Sequence, residues 1–214
     1  MIVAIDGPAG AGKSTIASKV AEKTGFFYLN TGNFYRALTY AIINEKIDIS
    51  DKNAIIKLSE KRKIEIVNKR IHLDGCDVEN FLHSDAIDAI VAQISAITEV
   101  RYRINEQIQK AAKNNNIIAE GRDMTTVVFP NADVKVYLDA SIEKRAKRRL
   151  DQGTSAKTLE EIEENIKTRD NIDKNKEFGK LKISEDAIYL NSSDLTIDEV
   201  CERVFTEIDK KRLI

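Results

Sequence analysis

One stretch constrains this chain more than any other: Gly7-Pro8-Ala9-Gly10-Ala11-Gly12-Lys13-Ser14-Thr15. It fits the pattern G-x-x-x-x-G-K-[S/T]. It lies between an apolar run at 2–5 ("IVAI") and a helix-patterned run at 13–25. The glycines let the backbone turn so that successive N–H groups point inward, where they can surround phosphate oxygens. A helix starting near Lys13 aims the positive end of its dipole at the same place. Lys13 is long enough to reach terminal phosphates, and the Ser14 hydroxyl suits a Mg²⁺ ligand. From average residue usage, such a pattern arises by accident in on the order of 1% of chains this long. The strand before it and the helix after it make accident rarer still.

Strand and helix patterns alternate around this anchor. In the helix at 13–25, Ile16, Ala17, Val20 and Ala21 share a face and Gly25 marks a stop. Residues 26–30 ("FFYLN") read as a second strand. Residues 31–45 read as a second helix, with Phe34, Leu38, Ala41 and Ile42 on one side. The apolar runs at 116–120, 134–140 and 187–191 read as further buried strands. Strands alternating with helices predict an α/β fold with a parallel sheet. The pattern changes at about 60–113. Residues 63–68 and 69–75 alternate at period two, as a half-exposed antiparallel pair does, and 85–113 predict one long amphipathic helix. This region reads as an insertion. The polar stretch 150–158 ("LDQGTSAKT") is the best candidate for a mobile loop.

Bulk properties narrow the function classes. With 214 residues, 42% of them hydrophobic, the chain can bury one substantial core. A formal net charge of -1 offers no overall field for a nucleic-acid polymer or an anionic membrane. No run approaches the roughly 18 apolar residues of a membrane helix, and the N-terminus lacks the basic region of a signal peptide. Cys76 and Cys201 are far apart and lack metal-type spacing, which favours a reducing, cytoplasmic setting. Cys201 falls on an apolar helix face and is expected in the core. Cys76, His72 and His83 have no ligand partners nearby in sequence.

The phosphate loop alone leaves several classes open. The D-x-x-G and N-K-x-D signatures of a GTPase switch are absent. A small kinase remains, with a non-catalytic nucleotide-binding regulator as the alternative. A kinase needs an acceptor site, and arginine suits one because its fork donates two parallel hydrogen bonds to phosphate. Arg36 and Arg122 each follow a strand and a glycine, near the strand ends where such sheets bind ligands. Arg101 and Arg103 lie on the long helix, and Arg103 reads as a solvated position. Arg145, Arg148 and Arg149 cluster in "EKRAKRR", which also fits an ordinary charged helix face.

Four stretches, "IDGPAGAGKST", "YLNTGNFYRAL", "AEGRDMTTVVFPNADVKVYLDAS" and "IKTRDNIDKNK", resemble the bacterial cytidylate kinases in order and spacing. The resemblance covers nearly the whole chain. It implies a P-loop three-layer α/β/α fold, a monophosphate-binding insertion at about 31–113 and a short lid at about 148–165. It implies transfer of phosphate from ATP, with Mg²⁺, to CMP or dCMP by a cytoplasmic monomer. A kinase accepting UMP and CMP alike is the alternative acceptor class.

By position, the resemblance assigns Gly7 to Thr15 to the donor phosphates, with Lys13 catalytic and Ser14 on the metal, and places Arg148 and Arg149 in the lid. Arg36, Arg122 and Lys176 would hold the acceptor phosphate. Arg101 and Asp123 would read the cytosine edge. Arg169 and Asp173 would hold the sugar, and Thr31, Gly32 and Tyr35 would line the acceptor pocket. Arg122, Asp123 and Arg169 join Lys13 as residues the reaction is expected to need. Two positions depart from the family pattern. Ala92 stands where a cytosine-binding Ser is usual, which implies one hydrogen bond fewer to the base. Lys176 stands where an Arg is usual, keeping the charge but not the fork.

Overall fold

The computed structural model describes residues 1–151, 153 and 158–213. In chain order the strands are β1 (Ile2–Asp6), β2 (Phe27–Asn30), β3 (Ile64–Val67), β4 (Arg70–Leu73), β5 (Cys76–Asp77), β6 (Ile117–Gly121), β7 (Val134–Asp139) and β8 (Ile188–Asn191). The helices are α1 (Lys13–Thr24), α2 (Gly32–Asn44), α3 (Lys52–Lys61), α4 (Asp85–Ile94), α5 (Thr98–Ala112), α6 (Ile142–Asp151), α7 (Leu159–Asn175) and α8 (Ile197–Arg212). They fall into two compact units. One comprises Met1–Leu29, Asn114–Asn175 and Gly179–Ile214, the other Asn30–Lys113 and Lys176–Phe178.

The first unit is built on a five-stranded sheet of order β2-β6-β1-β7-β8. β1 is central and pairs in parallel with β6 and β7, so that Ala4 faces Ala119 on one side and Lys135 on the other. β6 is buried along its whole length, and so is β1 beyond its first residue. That is why both read as continuous apolar runs rather than as alternation. α1 and α8 cover one face: Ile16 and Val20 pack with Val200, Val204 and Ile208 over Val3, Ile5, Val136 and Leu138. Cys201 joins this core, as its apolar surroundings in sequence predict. α8 opens on a capping box in which Thr196 and Glu199 satisfy each other's backbone N–H. The α/β fold and parallel sheet expected from the sequence are therefore observed.

The second unit carries the antiparallel sheet β3-β4-β5. Its first hairpin turns at Asn68 and Lys69, both in the left-handed region (φ 51 and 64), as a two-residue hairpin loop requires. β5 and α3 are elements the sequence patterns did not single out.

The predicted single helix over 85–113 is corrected. α4 stops at Ile94 and α5 starts at Thr98. No glycine or proline breaks it. Instead the Ser95 hydroxyl bonds back to the Ala92 carbonyl at 3.0 Å, and Arg101 Nη1 takes the Ser95 carbonyl at 2.8 Å. Ile97 then turns extended (φ -71, ψ 120) before α5 begins. A side chain has claimed a carbonyl that a continuing helix would need, and apolar spacing alone gives no sign of that.

Candidate active site

The loop after β1 lies tightly against its neighbours. A Cβ on Gly7 would stand 2.0 Å from the Leu138 carbonyl oxygen of β7, so no side chain fits there. Gly10 has φ 78, and its Cβ would meet Cβ of Arg145 at 3.1 Å. These glycines allow close packing as well as turning.

The carbonyls of this loop are held by side chains. Lys13 Nζ donates to Pro8 O at 2.8 Å, and Arg145 Nη1 donates to Ala9 O at 2.8 Å. Ala11 O accepts from Arg148 Nη1 and from Ser192 Oγ, each at 3.3 Å. In a trans peptide the following N–H points opposite to the carbonyl. With Ala9 O and Ala11 O so held, the Gly10 and Gly12 N–H groups point away from Arg145 and Arg148. Lys13 is buried, and burial with the nearby Arg122 charge brings its ammonium down to about 7, against the pull of Glu120, Asp173 and Asp6.

Glu120 is the penultimate residue of β6 and is buried. Its Oε1 accepts from Ser14 Oγ at 2.7 Å and from Tyr28 OH at 3.3 Å. The β1–β6 register sets Ile5 beside Glu120 and Asp6 beside Gly121. The sequence alone does not single out Glu120. The available signal was an acid at the carboxyl end of a buried strand, which becomes informative once that strand is known to adjoin the loop-bearing one.

Gly121 is the last residue of β6, and Arg122 and Asp123 follow it directly. Arg122 Nε pairs with Asp173 Oδ2 of α7 at 2.7 Å. Asp123 is buried, and its carbonyl starts a π-helical turn over Met124–Val128. Asp6 anchors that turn. Its carboxylate accepts Met124 N and Thr125 N, each at 2.8 Å, and Thr125 Oγ1 at 2.6 Å. Burial nevertheless pushes the Asp6 carboxyl up to about 6, outweighing those three donors. Arg169 lies one turn before Asp173 on α7.

The second unit holds the remaining sequence-selected residues. Thr31 and Gly32 open α2. Tyr35 OH donates to Asn105 Oδ1 at 3.1 Å, and the buried Arg101 guanidinium lies 5.2 Å from the Tyr35 ring centroid. Arg36 places Nη1 on Leu82 O at 2.9 Å and Nη2 on Asp88 Oδ1 at 2.6 Å. Lys176 is buried, and Phe178, two residues on, packs against Tyr102 at 4.6 Å between ring centroids. Arg103 is half exposed and pairs with Glu60 and Glu106, as a solvated helix position does.

Within the first unit, then, Lys13, Ser14, Arg122, Asp123 and Asp173 cluster around β1 and β6. Within the second, Tyr35 and Arg101 are brought together. Arg148 rests on Ala11 and Ser192, while Arg149 lies in the last turn of α6. Of the lid expected at 148–165, residues 152 and 154–157 lie outside the described residues. Among the described residues no cluster of three or more His, Cys, Asp or Glu could hold a metal by itself, and no helix is long and apolar enough to cross a membrane.

A parallel sheet whose central strand leads through a phosphate loop into a helix, with a buried lysine and an acid on the adjoining strand, defines a P-loop protein of the small-kinase class. Within that class the chain belongs to the cytidylate kinase family, whose family model matches residues 3–210. It is 42% identical over 212 residues to a cytidylate kinase of Caldanaerobacter subterraneus subsp. tengcongensis, covering 97% of this chain and 94% of that one. It is 40% identical over 205 residues to a cytidylate kinase of Alkaliphilus oremlandii, covering 94% of each. Among solved structures, an uncharacterized protein from Eubacterium ventriosum shares the fold, with a TM-score of 0.53 at 14% identity over 98% of both chains.

Proposed function

We propose that the chain transfers the terminal phosphate of ATP to CMP and dCMP, giving CDP and dCDP. Membership of the cytidylate kinase family carries the reading. The side-chain-held carbonyls of Ala9 and Ala11, with Lys13 on the Pro8 carbonyl of the same loop, support the donor half.

The residues fit a Mg²⁺ ion. A hydroxyl and a buried carboxylate 2.7 Å apart form a hard oxygen set, as that ion prefers. Ser14 would hold it, with Glu120 accepting from its water shell. The ion would supply charge neutralisation at the donor phosphates.

CMP attacks through a phosphate oxygen that is already ionised, so the protein needs no dedicated base. Its work is positioning and charge compensation. The inward amides of the loop and Lys13 would hold the donor phosphates, with Arg148 and Arg149 following from the lid. Arg36, Arg122 and Lys176 would orient the acceptor phosphate. Asp173 holds the Arg122 fork in place until substrate arrives, and with Arg169 it would receive the sugar. Asp123 would accept from the cytosine amino group while Arg101 donates to N3 and O2, in a pocket lined by Thr31, Gly32 and Tyr35. Uracil would set its O4 against the Asp123 carboxylate and leave buried polar groups unpaired. We further place the protein in the cytoplasm as a monomer; its two free cysteines suit a reducing compartment.

The deciding experiment is a coupled ADP-release assay with CMP, dCMP, UMP, AMP and GMP. Turnover with CMP and dCMP well above the rest is expected. Equal turnover with UMP would replace the proposal by a broader pyrimidine acceptor.

A further inference from the structure

By sequence Arg145 is one basic residue on a charged helix face. In the fold it is buried, with only 4% of its side chain exposed, and all three arms of its guanidinium are engaged. Nε donates to Ala140 O at 3.0 Å, Nη1 donates to Ala9 O at 2.8 Å, and Nη2 pairs with Asp170 Oδ2 at 2.7 Å. Ala140 directly follows β7, Ala9 is in the phosphate loop, and Asp170 lies on α7 between Arg169 and Asp173. The other oxygen of Asp170, Oδ1, is buried with no hydrogen-bond partner.

Stability does not account for this arrangement. Burying an ion pair costs desolvation that its attraction only partly returns, and apolar residues of similar volume often serve the fold as well or better. An orphaned carboxylate oxygen adds to that cost. What the pair supplies is geometry. A rigid three-pronged group ties a loop carbonyl to a strand end and to the helix bearing Asp173, which in turn holds Arg122.

We propose that Arg145 is a positioning residue for phosphoryl transfer, setting the Ala9–Gly10 peptide so that the Gly10 amide faces the donor phosphates, with Asp170 fixing the guanidinium that does so. This deepens the reading of residues 7–15 as the donor loop and rests on it. Arg145 touches neither substrate; it acts through the backbone of the loop.

The test is a double variant, Arg145→Met/Asp170→Leu, which removes the strut and keeps the space filled. Unfolding in urea, titration with a fluorescent ATP analogue and steady-state kinetics are measured together, with Lys13→Met alongside. The expected result is wild-type or higher stability together with ATP affinity and kcat each lowered on the order of tenfold or more, since a misplaced binding group commonly costs that much. Arg145→Lys, which keeps a charge beside Asp170 but cannot make three contacts, should fall between wild type and the double variant. A stable double variant with ATP affinity and kcat within about twofold of wild type would overturn the proposal, because mutational effects that small lie within ordinary surface variation. If Lys13→Met loses ATP binding in that case, the donor-loop reading stands and only the role of Arg145 falls. If Lys13→Met binds ATP as wild type does, the donor-loop reading fails and takes the proposal with it.

Discussion

Ser14 of the phosphate loop donates its hydroxyl to Glu120 at the end of β6, across 2.7 Å and 106 residues of sequence. The contact joins the residue expected to hold a metal to an acid that would complete the metal's surroundings. Glu120→Gln keeps the shape and the bond from Ser14 but removes the charge. Activity is expected to fall by on the order of a hundredfold, with a larger requirement for Mg²⁺. A Mg²⁺ titration of initial rates checks it; an unchanged half-saturating concentration would remove Glu120 from the metal site.

Asp123 follows Arg122 in the triplet and is buried two residues past β6. Asp123→Asn replaces an acceptor with a group that can also donate. CMP should lose on the order of tenfold or more in kcat/KM, while UMP loses less, so the preference between them narrows. KM for ATP should hardly move. Equal changes in the two Michaelis constants would count against a base-reading role.

Gly7 has no room for a side chain, since a Cβ would stand 2.0 Å from the Leu138 carbonyl oxygen. Gly7→Ala must push β7 away from the loop. A loss of more than about 3 kcal/mol in unfolding free energy is expected, as for severe overpacking at a backbone contact. Urea denaturation measures it, and a variant of near wild-type stability would show that the loop and β7 can separate cheaply.

Asp6 gives a pH signature. Burial raises its carboxyl from the ordinary 3.8 to about 6, so the folded chain binds that proton more tightly than the unfolded chain does. Its contribution to stability is fully present below the unfolded value and is lost as pH rises through the folded one. Asp6→Asn cannot titrate. The stability difference between wild type and this variant should therefore shift by about 3 kcal/mol against wild type from below pH 4 to pH 7. A difference that stays flat across that range would mean that the three donors at Asp6 fully offset its burial.

Much of this was legible in the chain, for local reasons. Lys13 and Ser14 follow the glycines because the loop is one continuous segment, and its pattern is complete without distant partners. The strands around Ala4, Ala119 and Val136 were visible because both faces of a parallel sheet are apolar. Arg36 and Arg122 stand out in sequence because each follows a strand and a glycine. The break between Ile94 and Thr98 was hidden, since the Arg101 side chain makes it and apolar spacing is the same on both sides. Glu120 does not stand out in sequence, because an acid near a strand end gains meaning only from the strand beside it. Arg145 looked like any basic residue in "EKRAKRR", since a helical period cannot say which of three arginines faces inward.

By itself the sequence determined the phosphate loop, the parallel α/β class and the triplet at the end of β6, because each is encoded by contiguous residues whose spacing is their signal. Only the tertiary structure decided what holds the loop in shape. Arg145, Arg148 and Ser192 reach it from about 130 to 180 residues away, on a helix and a strand end whose proximity follows from the order in which the sheet is assembled. Such contacts leave no period and no motif, because what they require is a carbonyl, and every residue has one.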